Sequence, residues 1–256
     1  LENFRDLVND GIEKSAHAKL MNNIDLNPNM EISEDGTVTN GNELYRWTPI
    51  GTNSSRYRGT FDGNGHTISG LYIKNTTSDY YQGLFGYVDQ GGTVQNLSVS
   101  GTVNSSYVGG VVGLNSGNVE NCYNTGTVTG TVSASGNSSV VGGVVGYNDS
   151  NGNVTGCYFL QTETVNTQLQ GIGEGSGEAT NLTTDEFKNT DNFTNWDFDN
   201  TWRISKSLNR PVLQDNAQDG LPPGLGTEAS PYEISTADEL ENFRDLVNDG
   251  IEKSAH

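Results

Sequence analysis

The chain has 256 residues, of which 32 are acidic and 13 are basic, and its formal net charge is −19. Such a negative field repels phosphate backbones and anionic lipid surfaces, so we expect neither nucleic acid nor membrane partners. No stretch approaches the run of about 20 apolar residues that a spanning helix needs, and two cysteines are too few for a disulfide-built scaffold. Any targeting signal is expected to lie outside this sequence.

The first 17 residues, LENFRDLVNDGIEKSAH, occur again without change at 240–256. This identity predicts a tandem array of similar units, with an engineered overlap as the alternative. Thr236 and Glu239 form a capping box ahead of the second copy. Apolar residues then follow at helical spacing, at Leu240, Phe243, Leu246 and Val247. We therefore expect a capping helix at 1–11 and another in the second copy.

A shorter, imperfect period of about 25 residues runs through residues 19–182. KLMNNIDL at 19–26 alternates apolar and polar residues and predicts a first strand. Aligning HTISGLYI, TVQNLSV, NVENCYN and NVTGCYF gives two apolar columns and one turn column. The apolar columns are Ile68, Val94, Val119 and Val154, and Leu71, Leu97, Cys122 and Cys157, and the turn column is Gly70, Asn96, Asn121 and Gly156. QGLFGYV, GGVVGLN and GGVVGYN supply a second strand per coil.

A coil of this length cannot bury its own apolar face, but coils stacked about 4.8 Å apart pair their backbones and merge those faces into one core. The period therefore predicts an all-β fold, namely a right-handed parallel β-helix (a β-solenoid) with short capping helices. Seven or eight coils are expected. The polar insertion at 130–140 explains the longer spacing before Cys157.

The remaining segments complete the predicted domain organisation. Residues 183–214 are interpreted as a closing lid, which begins with a short helix and carries Trp196, Phe198, Trp202, Ile204 and Leu213. Residues 215–235 hold Pro222, Pro223 and Pro231 and form the linker between units. The β-solenoid unit is thus expected to span 1–214, with coils at about 19–182, and residues 236–256 begin the next unit.

Few residues offer catalytic chemistry. Histidine, the usual general base, occurs at His17, at its copy His256 and at His66, which we interpret as a hydrogen-bonded residue at a turn. No zinc-peptidase, nucleophile-elbow, P-loop or dinucleotide-binding motif is present. We therefore predict that the chain is not an enzyme, that it uses no cofactor, and that it has no catalytic, cofactor-binding or metal-binding residues.

Charged residues leave three alternatives open. A polysaccharide lyase would need an arginine base beside an acidic calcium site, for which the candidates are Arg46, Arg56 and Arg58 ahead of Asp62. A glycosidase would pair Asp62 with Asp89 or Asp149. Calcium could bind NDSNGN at 148–153, although an ordinary Asn-Gly turn is favoured. A second acidic group, interpreted as solvated, comprises Asp185, Glu186, Asp191, Asp197 and Asp199.

Cys122 and Cys157 share one inward column, where adjacent coils would place their Cα atoms about 5 Å apart, within the disulfide range. Free thiols that act as small apolar side chains are favoured over a disulfide. Tyr123 and Tyr158 follow the cysteines and are expected to point outward. Packing under a loop is favoured for them over an aromatic ladder that binds sugar rings.

GGVVGLNSGNVENCYNTGTVTG (109–130) and GGVVGYNDSNGNVTGCY (142–158) resemble the GLUG repeat of bacterial surface and secreted proteins, including non-catalytic regions of IgA-peptidase-like proteins. GTEASPYEISTADEL, NNIDLN, WTPIGT and GTFDGNGHTISGLYI resemble the leading segments of the same proteins. The resemblance implies a pectate-lyase-like β-helix used in adhesion or as a stalk, with no catalytic residues to transfer.

These observations predict a structural or adhesive tandem-repeat unit of a large bacterial cell-surface or secreted protein. Its location would be extracellular, and its partners would be neighbouring copies of the unit, joined head to tail in a stalk or filament. The alternative is a glycan-binding adhesin module with host or matrix glycans as partners. A polysaccharide-degrading enzyme is a more distant alternative.

Overall fold

The computed structural model describes residues 1–74, 81–130, 139–163, 165–166, 168–199, 201–205 and 209–213. It divides into two compact units, residues 1–185 and 186–256. The predicted linker and the second copy of the 17-residue segment lie outside the described residues, so the domain boundaries given above stay a prediction.

One α-helix, two short 3-10 helices and twenty strands make up the regular structure of the described residues. The helices are α1 (Glu2–Asn9) and the 3-10 helices Glu186–Lys188 and Thr190–Asn192. The strands are β1 (Ala18–Lys19), β2 (Ile24–Asp25), β3 (Thr60–Asp62), β4 (Thr67–Lys74), β5 (Tyr81–Gln82), β6 (Phe85–Val88), β7 (Thr93–Gln95), β8 (Ser98–Ser105), β9 (Tyr107–Gly109), β10 (Val112–Asn115), β11 (Asn118–Glu120), β12 (Tyr123–Asn124), β13 (Thr127–Gly130), β14 (Val140–Asn148), β15 (Asn153–Thr155), β16 (Cys157–Leu160), β17 (Gln170–Glu174), β18 (Ala179–Leu182), β19 (Trp202–Ser205) and β20 (Arg210–Leu213).

The strands of the first unit form three parallel sheets. The first sheet has the order β1-β3-β7-β11-β15, and the second has the order β18-β16-β12-β8-β4-β2 with β13 also beside β8. The third has the order β5-β9-β14-β10-β6 with β17 also beside β14. Neighbours within a sheet come from successive passes of the chain, so the chain visits the three sheets in turn. The fold of this unit is all-β, parallel and built from stacked coils.

One apolar column follows the first sheet from coil to coil. Its members are Phe61, Val94, Val119 and Val154, which are register partners on β3, β7, β11 and β15. The sequence prediction was correct for the three valines and wrong for Ile68. Ile68 lies in the second sheet, between Ile24 and Val99. The apolar residues of β4 have the same spacing as those of the word TVQNLSV, so the alignment took β4 in place of β3.

A second column holds Leu97, Cys122 and Cys157, since the residues after them pair in register across β8, β12 and β16. All three side chains are buried. Leu71, which was predicted here, instead pairs with Gly101 after a bulge in β4. Thr67 pairs with Ser98, so the position equivalent to Leu97 in this coil is His66, and the sequence alignment chose a residue further along the same strand.

The turn between the first and second sheets uses the left-handed backbone region. Asn96, Asn121 and Gly156 have positive φ there, as predicted, and the turn before β4 has positive φ at Asn64 and Gly65. Gly70 was assigned to this column and does not belong to it. Its positive φ lies within β4, at the bulge. Asparagine and glycine adopt this region at the lowest cost, which explains their abundance at these turns.

The third sheet has the predicted register: Phe85, Val112 and Val145 are partners on successive coils. Ile172 on β17, which was not predicted, continues this row beside Val145. The first strand predicted at 19–26 is instead two short strands in different sheets, with Met21 exposed at the turn between them. The described residues contain five coils and the final strand β18, fewer than the seven or eight expected. The difference arises because several coils carry insertions, such as the arm at 27–46 that follows β2.

Helix α1 covers the hydrophobic core at the start of the stack. The Phe4 ring centroid lies 5.8 Å from those of Tyr57 and Phe61, and Val8 is fully buried. The helix end is anchored by Asn9, whose side chain donates to the Pro49 carbonyl at 2.9 Å and accepts from the Gly51 amide at 2.8 Å. The helix therefore caps the N-terminal end of this core.

The second unit has its own small aromatic core. Its strands β19 and β20 are antiparallel. Ring contacts join Phe187, Phe193, Trp196, Phe198 and Trp202, with Trp196 and Trp202 centroids 4.2 Å apart. The interpretation of these residues as a lid on the coils stays a prediction.

Candidate functional site

His66 and His17 each form a hydrogen bond with a backbone group. The His66 backbone amide donates to the Gly63 carbonyl at 2.8 Å, which places His66 in a turn as predicted. Its side chain is largely buried, and this burial lowers the pKa of the imidazole, with a smaller contribution from Lys19. Nδ1 of His17 accepts a hydrogen bond from the Thr60 amide at 3.1 Å. His256 lies outside the described residues.

The arginines that a lyase would use are paired elsewhere. Arg58 donates through Nε to Asp89 Oδ2 at 2.8 Å, and its Nη2 lies 2.7 Å from the same oxygen. Arg56 Nη1 lies 3.8 Å from Asp89 Oδ1. Arg46 is exposed. The structure therefore brings two of the three predicted arginines together around Asp89 and not around Asp62, and both are engaged by that carboxylate.

The side chains of the other two candidate carboxylates, Asp62 and Asp149, accept hydrogen bonds at turns. Asp62 Oδ1 accepts from the Asn64 amide at 2.8 Å and from Asn96 Nδ2 at 3.1 Å. Asp149 Oδ1 accepts from the Asn151 and Gly152 amides at 2.7 and 3.2 Å. These hydrogen bonds fix the Asn-Gly turn that the sequence favoured over a calcium loop. Across the described ranges, no group of three or more His, Cys, Asp or Glu residues is placed to hold a metal ion.

Both cysteines are free thiols in the core, the state that the sequence favoured. The Cys122 and Cys157 Sγ atoms donate to the carbonyls of Glu120 and Thr155, each at 3.3 Å. Burial raises the pKa of the Cys122 thiol, and a hydrogen bond with Cys157 raises it further. Both side chains are almost completely buried in the hydrophobic core, so they act as apolar core residues.

Two buried asparagines connect neighbouring coils, a feature that the sequence did not reveal. Asn115 Nδ2 donates to Asn148 Oδ1 at 2.8 Å, and Asn115 Oδ1 accepts from the Gly117 amide at 3.0 Å. Asn148 Nδ2 donates to the Gly152 carbonyl at 3.0 Å. Only their shared position at the end of the words VGLN and VGYN could have indicated this stacking.

Tyr123 and Tyr158 lie outside the main apolar core and are nevertheless only 1% and 4% exposed. Other groups therefore cover these two side chains, and the packing interpretation is the correct one. A different set of tyrosines gathers on the third sheet. We refer to these four residues as the tyrosine cluster: Tyr81 on β5, Tyr87 on β6, Tyr107 on β9 and Tyr147 on β14.

The tyrosine cluster spans three coils. Tyr81 makes edge-to-face contacts with Tyr87 and Tyr107, with ring centroids 5.8 and 5.7 Å apart. Leu114 is the register partner of both Tyr87 and Tyr147 and so completes the row between them. Burial raises the pKa of Tyr81, and the neighbouring tyrosine hydroxyls add to this shift. The recurrence of Tyr in FGYV and VGYN was the available sequence signal.

A groove of about 330 Å³ lies between the arm and the second sheet. Its walls include Met30, Ser33 and Leu160, and its floor includes Gly70 and Gly101. The arm is held by Asn27, whose side chain donates to the carbonyls of Tyr45 and Gly70. The lining combines apolar side chains such as Met30 and Leu160 with hydroxyl and backbone groups and one carboxylate, Asp25.

Comparison with known protein families identifies one motif in this chain. Residues 104–129 match the family model described as the GLUG motif. The chain carries the GLUG motif. The matched segment extends from the end of β8 into β13, so the motif corresponds to the central coil of the stack. It covers nearly all of the word at 109–130 from which the resemblance was drawn, whereas the word at 142–158 lies outside the match.

Two relatives share longer segments. A protein of Evansella cellulosilytica, whose name describes it as a Gly-rich membrane protein, is 34% identical over 126 residues, which are 47% of this chain and 13% of that protein. The Halomucin of Haloquadratum walsbyi is 44% identical over 79 residues, which are 29% of this chain and 1% of that protein. No solved structure matches the chain. In the part of the chain that the structure describes, no helix has the length and apolar character needed to cross a membrane.

Proposed function

We propose that this chain is a structural and adhesive repeat unit of a large bacterial cell-surface or secreted protein, located outside the cell. Units joined head to tail would form a stalk or filament, and neighbouring copies would be the principal partners. Each unit would be a right-handed parallel β-helix without catalytic activity.

The observation that carries this proposal is the duplicated 17-residue segment. In its first copy this segment forms the helix that covers the start of the coil stack, through Phe4, Val8 and Asn9. An identical second copy has the same side chains for covering the start of another stack. Repetition of cap and stack is the arrangement expected of a tandem array.

The comparisons support the same function. The GLUG motif lies in the central coil, and the two relatives are far longer than this chain and are named as a membrane protein and a halomucin. Repeated units in long surface proteins act as spacers or as adhesive surfaces. The pairing of Arg56 and Arg58 with Asp89, and of Asp62 and Asp149 with turn amides, supports a role without catalysis.

Small-angle scattering of three joined copies of residues 1–239 tests the filament. If units dock, the distance distribution is that of a stiff rod with evenly spaced mass. The matched control replaces residues 215–235 in each copy by Gly-Ser sequence of equal length, which behaves as a flexible chain. A native protein that scatters like this control, as a flexible string of beads, would contradict head-to-tail docking.

An adhesive role is the second candidate, and the tyrosine cluster favours it. A single unit that binds glycans would serve as an adhesin module whether or not the units dock rigidly.

A further inference from the structure

The tyrosine cluster lies outside the main apolar core. The core contains Phe85, Val88 and Val112 of the third sheet, whereas Tyr87, Leu114 and Tyr147 are not part of it. Tyr81, Tyr107 and Tyr147 retain partial exposure, and Tyr87 is 8% exposed. The cluster therefore presents aromatic side chains on the outer side of the third sheet.

Hydrogen-bonding side chains surround these rings. The Arg56 guanidinium carbon lies 4.4 Å from the Tyr87 ring centroid, and Arg56 is held next to Asp89. On the following coils, Ser116 forms a hydrogen bond with the Asp149 carboxylate. Aromatic rings bordered by a few charged and hydroxyl groups are the composition of a ligand site that combines apolar contact with directional hydrogen bonds.

The partly exposed rings also have a regular spacing. Tyr81 and Tyr107 are register partners on neighbouring coils, so their positions repeat at the interstrand distance of about 4.8 Å. A sugar ring in an extended β-linked chain occupies a similar length. A linear glycan laid along the stacking direction would therefore meet a partly exposed tyrosine on each of these coils.

Charge and ring chemistry narrow the ligand further. The electron-rich faces of tyrosine attract the weakly positive C–H groups on the flat side of a pyranose ring. Sugar hydroxyls would bond to the Arg56 guanidinium and to the carboxylates of Asp89 and Asp149. The net charge of −19 repels acidic polysaccharides, so a neutral chain fits best.

We infer that the tyrosine cluster is a binding site for a neutral, linear, β-linked glycan that lies across the coils. This inference rests on the adhesive part of the proposed function and names its ligand class. Binding needs only one unit, so it is independent of whether joined units form a stiff rod.

Calorimetric titration of the whole chain with a neutral β-1,4-linked glucose hexamer tests the inference. Tyr81→Ala and Tyr147→Ala should each weaken binding about tenfold, because each removes a partly exposed ring of the cluster. Tyr107→Phe keeps its ring and should change the affinity by less than about threefold. Circular dichroism melts verify that each variant is folded, and Tyr147→Ala serves if Tyr81→Ala does not fold.

Tyr45→Ala is the matched control, since Tyr45 is an exposed tyrosine on the arm. It should leave the affinity unchanged. The inference is overturned if the hexamer does not bind, if folded Tyr81→Ala or Tyr147→Ala variants bind like the wild type, or if Tyr45→Ala weakens binding as much as they do. Equal binding of an α-1,4-linked glucose hexamer, whose chain is curved, would also contradict it. The scattering experiment on joined units reports on the filament and is unaffected by these results.

Discussion

Asparagine sets much of the local backbone geometry of this chain. Every non-glycine residue with positive φ in the described ranges is an asparagine, at Asn64, Asn96, Asn121, Asn166, Asn195 and Asn209. The short amide side chain lowers the cost of the left-handed region by bonding to nearby backbone groups. The Asn-rich composition is thus a requirement of many tight turns and not a sign of disorder.

Asn115 provides a test of the buried amide stack. Asn115→Ala should lower the free energy of unfolding by about 2–3 kcal/mol, because the buried Gly117 amide and Asn148 amide oxygen lose their partner. Urea denaturation measures this change. Asn151→Ala, at an exposed turn position, is the control and should cost less than about 0.5 kcal/mol. Equal costs for the two variants would contradict a special role for the buried stack.

The sequence predicted the buried apolar positions more reliably than the buried polar ones. The burial of Val94, Val119 and Cys122 followed from their spacing. That Asn115 is fully buried did not, because the same residue type also fills exposed turns such as Asn151. Only the three-dimensional register places one amide above another.

The capping helix α1 is the element whose contribution to stability follows most directly from its contacts. It presents Phe4 and Val8 to the core and leaves Ile12, just after its end, 66% exposed. Its loss would uncover the apolar side chains of Tyr57 and Phe61, and exposed apolar surface favours association with other chains.

Val8→Ala should lower the free energy of unfolding by about 2 kcal/mol, from the lost burial of two methyl groups and the remaining cavity. Ile12→Ala is the control, and no measurable change is expected because its side chain is exposed. Denaturant titration of both variants measures the difference. If the two substitutions cost the same, the helix does not stabilise the stack as described.

At the scale of elements, most of the repeated sequence words were aligned correctly, and one was not. GGVVGLN and GGVVGYN share every apolar position, and their strands pair in the predicted register. HTISGLYI lies in β4 of the second sheet, whereas TVQNLSV begins in β7 of the first sheet, whose partner is β3, so the alignment of these two words failed. Both words place apolar residues at the same spacing, and this spacing does not show to which sheet a strand belongs.

The whole stack of coils is held by backbone pairing and one continuous apolar core, from Val8 to Phe159. A metal ion bound to the native state would raise the melting temperature, and EDTA would remove it. We expect no such ion to be needed, so the melting temperature should change by less than about 2 °C in excess EDTA. A melt with EDTA already saturated by calcium is the control. A fall of many degrees that calcium reverses would show that metal binding stabilises the coils.

The contacts of the capping helix also define an order of events during synthesis. The first nine residues leave the ribosome well before Tyr57 and Phe61, the side chains against which Phe4 lies. Until those partners emerge, the amphipathic segment has no native surface to cover, and an isolated helix this short is marginal in water. The end of the stack made first in the chain is therefore closed only after the following coil has been translated, and later coils can then add to a surface that is already sealed on its other side.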